Sequence, residues 1–206
     1  MVLPREHSAT LAGPAASLRR RGEVLQRAIF DAVLNQLSAV GWKQLTMEGV
    51  AACAQTGKAA LYRRWASKED LVKAALESTL PLVQEAPDLG NIRDELVYLL
   101  DRMRSVMLSP AGCALRAIME EIEHAHARAF HTLIQQKVLA PGKRISVDVL
   151  ERGIKRGEVR ADADVDLLAD VGPAMMMYCA KIGGGVVDAG YPARVVDEVL
   201  MPMVRP

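Results

Sequence analysis

One segment constrains this chain more than any other: Trp42 to Leu71, WKQLTMEGVAACAQTGKAALYRRWASKEDL. It predicts two short helices joined by a tight turn, with a third helix starting directly after. Thr46 is a good N-cap for the first, with Glu48 and Gly49 in its first turn. Met47, Val50, Ala51 and Ala54 fall at helical spacing and form its buried side. Gln55, Thr56 and Gly57 make a short polar turn. The second helix is expected over about Lys58–Trp65; Leu61 and Trp65 are its buried pair at i and i+4, and Lys58, Tyr62, Arg63 and Arg64 stand elsewhere. Ser67 caps the next helix, with Lys68, Glu69 and Asp70 in its first turn. Small apolar packing on one side and a Lys, Tyr and Arg cluster on the other suit a helix laid in a DNA groove.

The segment resembles the helix-turn-helix of the TetR family of transcriptional regulators. The resemblance is carried by Leu45-Thr46, Val50-Ala51, Leu61-Tyr62-Arg63-Arg64-Trp65 and Ser67-Lys68-Glu69-Asp70-Leu71, and it covers roughly Arg21 to Leu80. Two positions depart from the family pattern. Gln55 stands where the turn usually has glycine. Gly57 stands where a serine N-cap is usual; it offers no side-chain acceptor, and Thr56 is the alternative acceptor one residue earlier.

Sequence-specific binding needs phosphate contacts for register and base contacts for specificity. Thr46 at a helix N-terminus, Tyr62 with its phenol and Lys68 with its point charge are the phosphate candidates; the resemblance implies backbone contacts at these positions. Lys58 is the best candidate to read a base, at guanine O6 or N7, and Ala59 and Ala60 suit thymine methyls. Thr56 suits a base or a phosphate, and Gly57 belongs to the same DNA-binding set. Arg63 and Arg64 are phosphate contacts by default, Arg64 being the better placed to reach bases.

The 206-residue chain is 50% hydrophobic and 25% charged, enough for a real core in one or two domains. No run of alternating β-branched residues appears, so the expected class is all-α. The net charge of +1 hides an asymmetry. Residues 1–80 hold 11 Lys and Arg against 7 Asp and Glu, and residues 81–206 hold 15 against 18. A basic front and an acidic rear fit a DNA-binding end joined to a different module. Cys53, Cys113 and Cys179 have no finger spacing and read as reduced thiols. No signal peptide and no membrane span are expected, which makes the protein cytoplasmic.

The expected organisation is a disordered arm over 1–18, a DNA-binding domain over 19–80, and a helical ligand-binding and dimerisation domain over 81–206. Arg19, Arg20 and Arg21 are either a solvated charge run or an arm that touches phosphates or a minor groove. A first long helix runs from about Arg21 to Val40 and ends at Gly41, with Val24, Ala28, Ile29, Ala32, Val33, Gln36 and Leu37 at helical spacing. A fourth helix runs from Lys68 to about Val83. The rear helices are expected over Ile92–Leu108, Ala111–His124, Ala125–Arg156 with an interruption at Pro141-Gly142, Val165–Ile182, and Pro192–Val204. The last two are apolar on more than one side, which suits either a core or a homodimer interface. The family resemblance implies dimerisation through these two helices, with Gly172, Ala174, Ala180 and Gly183 allowing close approach.

The resemblance also implies a small-molecule effector in the rear domain, whose binding favours the conformation that fits a pseudo-palindromic operator poorly. Met103, Met107, Leu115, Met119, Phe130, Ile134, Met175 and Tyr178 are the candidate lining, although each also suits plain core. No cofactor is expected. The rival constellation is Glu120, Glu121, Glu123, His124, His126 and His131, a metal site or a solvated helix face. It lacks His-Glu-x-x-His, and no Cys stands nearby. Gly183-Gly184-Gly185 follows a helix, not a strand, and there is no Gly-x-Ser-x-Gly or phosphate loop, so no enzyme is expected. An interaction module with a vestigial DNA-binding helix is argued against by Lys58, Tyr62, Arg64 and Lys68 together. The reading is a ligand-responsive repressor.

Overall fold

A computed structural model describes residues 22–81, 84–121, 124–184 and 186–206, with 124–127 described as backbone. Arg19, Arg20, Arg21, Val83, Glu123, Gly185 and the side chains of His124 and His126 lie outside the described residues. All described elements are helical. They are α1 (Gly22–Gln44), α2 (Met47–Cys53), α3 (Lys58–Tyr62), α4 (Lys68–Thr79), α5 (Ile92–Leu108), α6 (Pro110–Glu121), α7 (His124–Ile134), α8 (Ala140–Lys155), α9 (Val165–Ile182), α10 (Tyr191–Val195) and α11 (Met201–Val204). π-helical turns at Gln135–Leu139 and Val196–Leu200 run α7 into α8 and α10 into α11. No described helix is long and apolar enough to cross a membrane.

Side-chain caps set the starts of α2, α4, α5 and α9. Thr46 accepts the Gly49 N–H, Asn91 the Asp94 N–H and Asp164 the Leu167 N–H, each satisfying a donor the helix leaves open. Ser67 and Asp70 form a reciprocal box at α4: the Ser67 hydroxyl accepts the Asp70 N–H at 3.0 Å and donates to its carboxylate at 2.8 Å.

Four boundaries differ from the sequence expectation. α1 does not stop at Gly41; it kinks there, at φ 76°, and continues to Gln44. α3 ends at Tyr62, leaving Arg63, Arg64 and Trp65 in the turn beyond. α4 ends at Thr79, short of Val83. The long helical region does not break at Pro141-Gly142. The π-turn absorbs the irregularity and places Pro141 in the first turn of α8, where its missing N–H costs nothing.

The described helices pack into two hydrophobic cores. The front core joins α1–α4 to α6 and α7 through Ala111, Ala114, Ile118, Phe130 and Leu133. Phe30 and Leu34 on α1 are buried in it, whereas Val24 is exposed. The rear core is built by α5, α8, α9, α10 and α11. Within the front core the Trp42 ring meets Phe130 of α7 edge-on, with centroids 5.3 Å apart. A Cβ at Gly41 would fall on the Glu121 carboxylate of α6, which accepts the Lys43 N–H at 2.9 Å.

The rear core contains one fully buried charge. Glu95 is paired with Arg152 at 3.3 Å and Arg156 at 3.2 Å, and it accepts the Leu89 N–H. Arg156 continues to Glu158, whose carboxylate accepts the Ile92 N–H. Arg152 of α8 and Arg156, its C-cap, thereby fasten the segment that leads from α4 to α5. A hydrogen bond to Glu158 and the buried Glu95 carboxylate hold the Arg156 pKa above its ordinary value.

Candidate nucleic-acid interface

The turn between α2 and α3 is fixed by two backbone bonds. Gln55 N–H donates to Ala52 O at 3.1 Å and Thr56 N–H to Ala51 O at 2.9 Å. Gln55 is in the left-handed region, at φ 54°, where glycine would be unstrained. Gly57 caps α3 in extended conformation with no side-chain bond, so Thr56 does not supply the missing acceptor. A helix of five residues cannot hold itself in water. α3 is held from beneath instead. Leu61 is fully buried with Val50, Ala51 and Ala54, and Trp65 lies against Phe30 with ring centroids 5.7 Å apart.

This platform leaves Gly57, Lys58, Ala59, Tyr62, Arg63 and Arg64 exposed, with Thr56 and Ala60 half-buried beside them. An open hollow of about 700 Å³ is bounded by Gly22 and Leu25 of α1, by Ala51 and Ala52, and by Thr56, Gly57, Ala59, Ala60, Arg63 and Arg64. Six expected DNA-binding residues therefore share one concavity. Lys58 and Tyr62 stand together as well, the ammonium 5.5 Å from the ring centroid. Thr46 is exposed, its hydroxyl oxygen accepting from Gly49.

Two side chains differ from expectation. Lys68 is not a free point charge: its ammonium donates to the Trp42 carbonyl at 2.9 Å and lies 4.4 Å from the Trp42 ring centroid. Trp42 is in the last turn of α1, where carbonyls lack helical partners, and the ammonium supplies one. Glu48, read from sequence only as a first-turn helix residue, is ion-paired with Lys58. That bond raises the Lys58 pKa and lowers that of Glu48. The ten-residue separation crosses the turn, so no helical spacing rule announces the pair.

The candidate effector residues do not converge. Met103, Met107 and Met175 pack against the rear core, Phe130 is buried in the front core, and Leu115 packs against it. Met119 is half-buried, and Tyr178 is 65% exposed on α9. Ile134 borders an open hollow of about 370 Å³ with His131, Thr132, Gln135, Gln136 and Leu139. The metal reading finds no support. Among the described residues no three His, Cys, Asp or Glu are grouped to hold an ion, Glu120 is exposed, and Glu121 is engaged by the Gly41 kink.

The outer face of α9 carries Leu167, Ala174, Met177, Tyr178 and Ile182 exposed and Val171 half-buried at helical spacing, a largely apolar stripe that also holds exposed Asp170 and Lys181. Gly172 and Ala180 are not on it. Both are buried within the chain, where a Cβ at Gly172 would press on Leu100 at 2.9 Å. α10 and α11 likewise bury Val195, Val196, Leu200 and Val204 in the chain's own core.

Comparison with known proteins agrees with this architecture. Residues 29–75 match the model of bacterial regulatory proteins of the tetR family. Residues 86–199 match a tetracycline repressor-like C-terminal domain. The chain is 30% identical over 187 residues to the DNA-binding transcriptional repressor TetR of Mycobacteroides abscessus, covering 90% of this chain and 97% of that one. It is also 30% identical over 169 residues to a helix-turn-helix transcriptional regulator of Mycobacterium tuberculosis, covering 82% of each. A crystal structure of a TetR transcriptional regulator from Agrobacterium tumefaciens superposes with a TM-score of 0.72 at 18% identity, covering 88% of this chain and 94% of that one.

Proposed function

Since this chain belongs to the TetR family of transcriptional regulators, we propose that it acts as a homodimeric repressor, released from a pseudo-palindromic operator by a small apolar molecule bound in the rear domain. The observation that carries the DNA-binding part is the rim of exposed Gly57, Lys58, Ala59, Arg63 and Arg64 with half-buried Thr56, set over the buried Leu61. Arg63 and Arg64 supply phosphate contacts. Lys58 donates to guanine, and Ala59 meets thymine methyls. Thr46 and Tyr62 contact the backbone on the side away from the hollow. Lys68 contributes through its place at the start of α4 and through its hold on Trp42.

The dimer forms through the outer stripe of α9, which a second copy covers isologously. The effector enters among Met103, Met107 and Met175, whose flexible thioethers part without strain. Its signal reaches the front module through α6 and α7, because both pack into the front core. A ligand that favours one seating of α6 against Gly41 shifts the spacing of the two recognition helices.

Selection of random duplex DNA by the purified protein, at two salt concentrations, tests this reading. An enriched inverted repeat with half-sites about 34–36 Å apart is expected. Weak, salt-sensitive binding with no enriched sequence would overturn it.

A further inference from the structure

Lys58, the first residue of α3, shares the DNA-facing rim with an acid. Its ammonium is ion-paired with Glu48 from the first turn of α2, and the two side chains are 56% and 54% exposed. An exposed pair of this kind adds little to stability. α2 is already capped by the Thr46 hydroxyl. A carboxylate held against a polyanion weakens binding to every sequence unless the DNA offers it a hydrogen-bond donor. In the major groove the base donors are cytosine N4 and adenine N6.

We propose that Glu48 and Lys58 act as one unit that reads a G·C pair in each half-site, Lys58 donating to guanine and Glu48 accepting from cytosine N4. Guanine O6 and cytosine N4 are the partners of one Watson–Crick hydrogen bond and stand side by side at the groove edge. The ammonium and the carboxylate are neighbours in the same sense. A T·A pair also presents an acceptor beside a donor, at O4 and N6. It places the thymine methyl on the lysine's side, however, and the adenine N7 acceptor on the carboxylate's side. Only G·C gives the ammonium a second acceptor and spares the carboxylate a repulsion. A lone lysine draws that distinction only through the guanine acceptors; Glu48 adds the reading of the cytosine donor, which makes it a specificity-determining residue. The inference rests on the DNA-binding role given above to α3.

The test is selection from random duplexes with the wild type, Glu48→Gln and Lys58→Gln, with binding measured at several salt concentrations. The wild type is expected to fix one G·C pair per half-site. Glu48→Gln is expected to lower that preference about tenfold and leave the other positions unchanged. It should also bind unrelated duplexes more tightly, with a salt slope steeper by about one, because Lys58 is freed for phosphate. Lys58→Gln should relax the same position. An unchanged preference in Glu48→Gln, or relaxation of different positions by the two variants, overturns the proposal while leaving the regulator reading standing. A uniform loss at all positions with a lowered melting temperature reduces Glu48 to a helix-stabilising residue and also overturns it. A wild type that enriches no sequence removes the regulator reading itself.

Discussion

The rim of α3 and the outer face of α9 are both surfaces that the fold leaves open, and they are opposite in kind. α3 is five residues long, with Lys58 on it and Arg63 and Arg64 just beyond it held out on a small apolar footing. α9 is 18 residues long and holds out an apolar stripe. Lysine and arginine in water need no cover. Apolar surface does, at about 25 cal/mol per Å² left exposed. In the proposed dimer the stripe on α9 is covered even when the protein is at rest, whereas the rim of α3 is covered only when DNA arrives. Tyr178→Asp combined with Ile182→Asp breaks this contrast most directly. The expected result is a folded monomer in sedimentation, with operator affinity lowered roughly 10²–10⁴-fold as the linked second half-site is lost. A variant that remains dimeric would show that α9 faces water.

Charge inside the molecule should behave in the opposite way to charge on the rim. Replacing Glu95 with alanine leaves Arg152 and Arg156 without their buried partner and should cost about 3–5 kcal/mol in urea unfolding. Asp197→Ala removes one of the two exposed partners of Arg93, Asp94 being the other, and should leave the unfolding midpoint nearly unchanged. Equal losses would mean that the segment before α5 is not fastened by Glu95.

The rim itself can be divided. Arg64→Ala should reduce the salt slope of operator binding by about one and leave the melting temperature unchanged. Lys68→Met should do the reverse, lowering stability by about 1 kcal/mol through the lost bond to Trp42 O. A slope change in Lys68→Met would return that lysine to the phosphate contacts.

What the sequence made legible follows from the range over which each effect acts. The caps at Thr46 and Ser67 and the spans of α5 and α9 are local, set by residues within four positions, and they were readable. The buried Leu61 under α3 was readable for the same reason. The Glu95 network was not, because its partners lie 57 and more residues away and an acid in a first turn ordinarily faces solvent. The seating of α6 and α7 in the front core was equally hidden, because their apolar residues carry no mark of which core they enter. Glu48 and Lys58 were each visible, but their pairing across the turn was not. The proposed effector residues were chosen by chemistry alone, and sulfur and aromatic side chains do not reveal which of two cores they enter.

Gln55 is where local rule and structure disagree most simply. It holds φ 54° in a turn that glycine would make without strain. A non-glycine residue there costs about 1–2 kcal/mol, part of which a glycine would return through the greater freedom of its unfolded chain. Gln55→Gly should therefore stabilise the protein by roughly 0.5–1 kcal/mol, read from the unfolding midpoint. The Gln55 side chain is exposed on the edge of the hollow beside Thr56, so the same variant also reports on DNA. Greater stability with unchanged operator binding would mark the strain as incidental and confine the rim to α3 and the arginines that follow. Greater stability with weaker operator binding would extend the DNA-facing surface back into the turn. The strained conformation would then be what aims that amide at the duplex, and α3 would be the second half of a longer recognition edge.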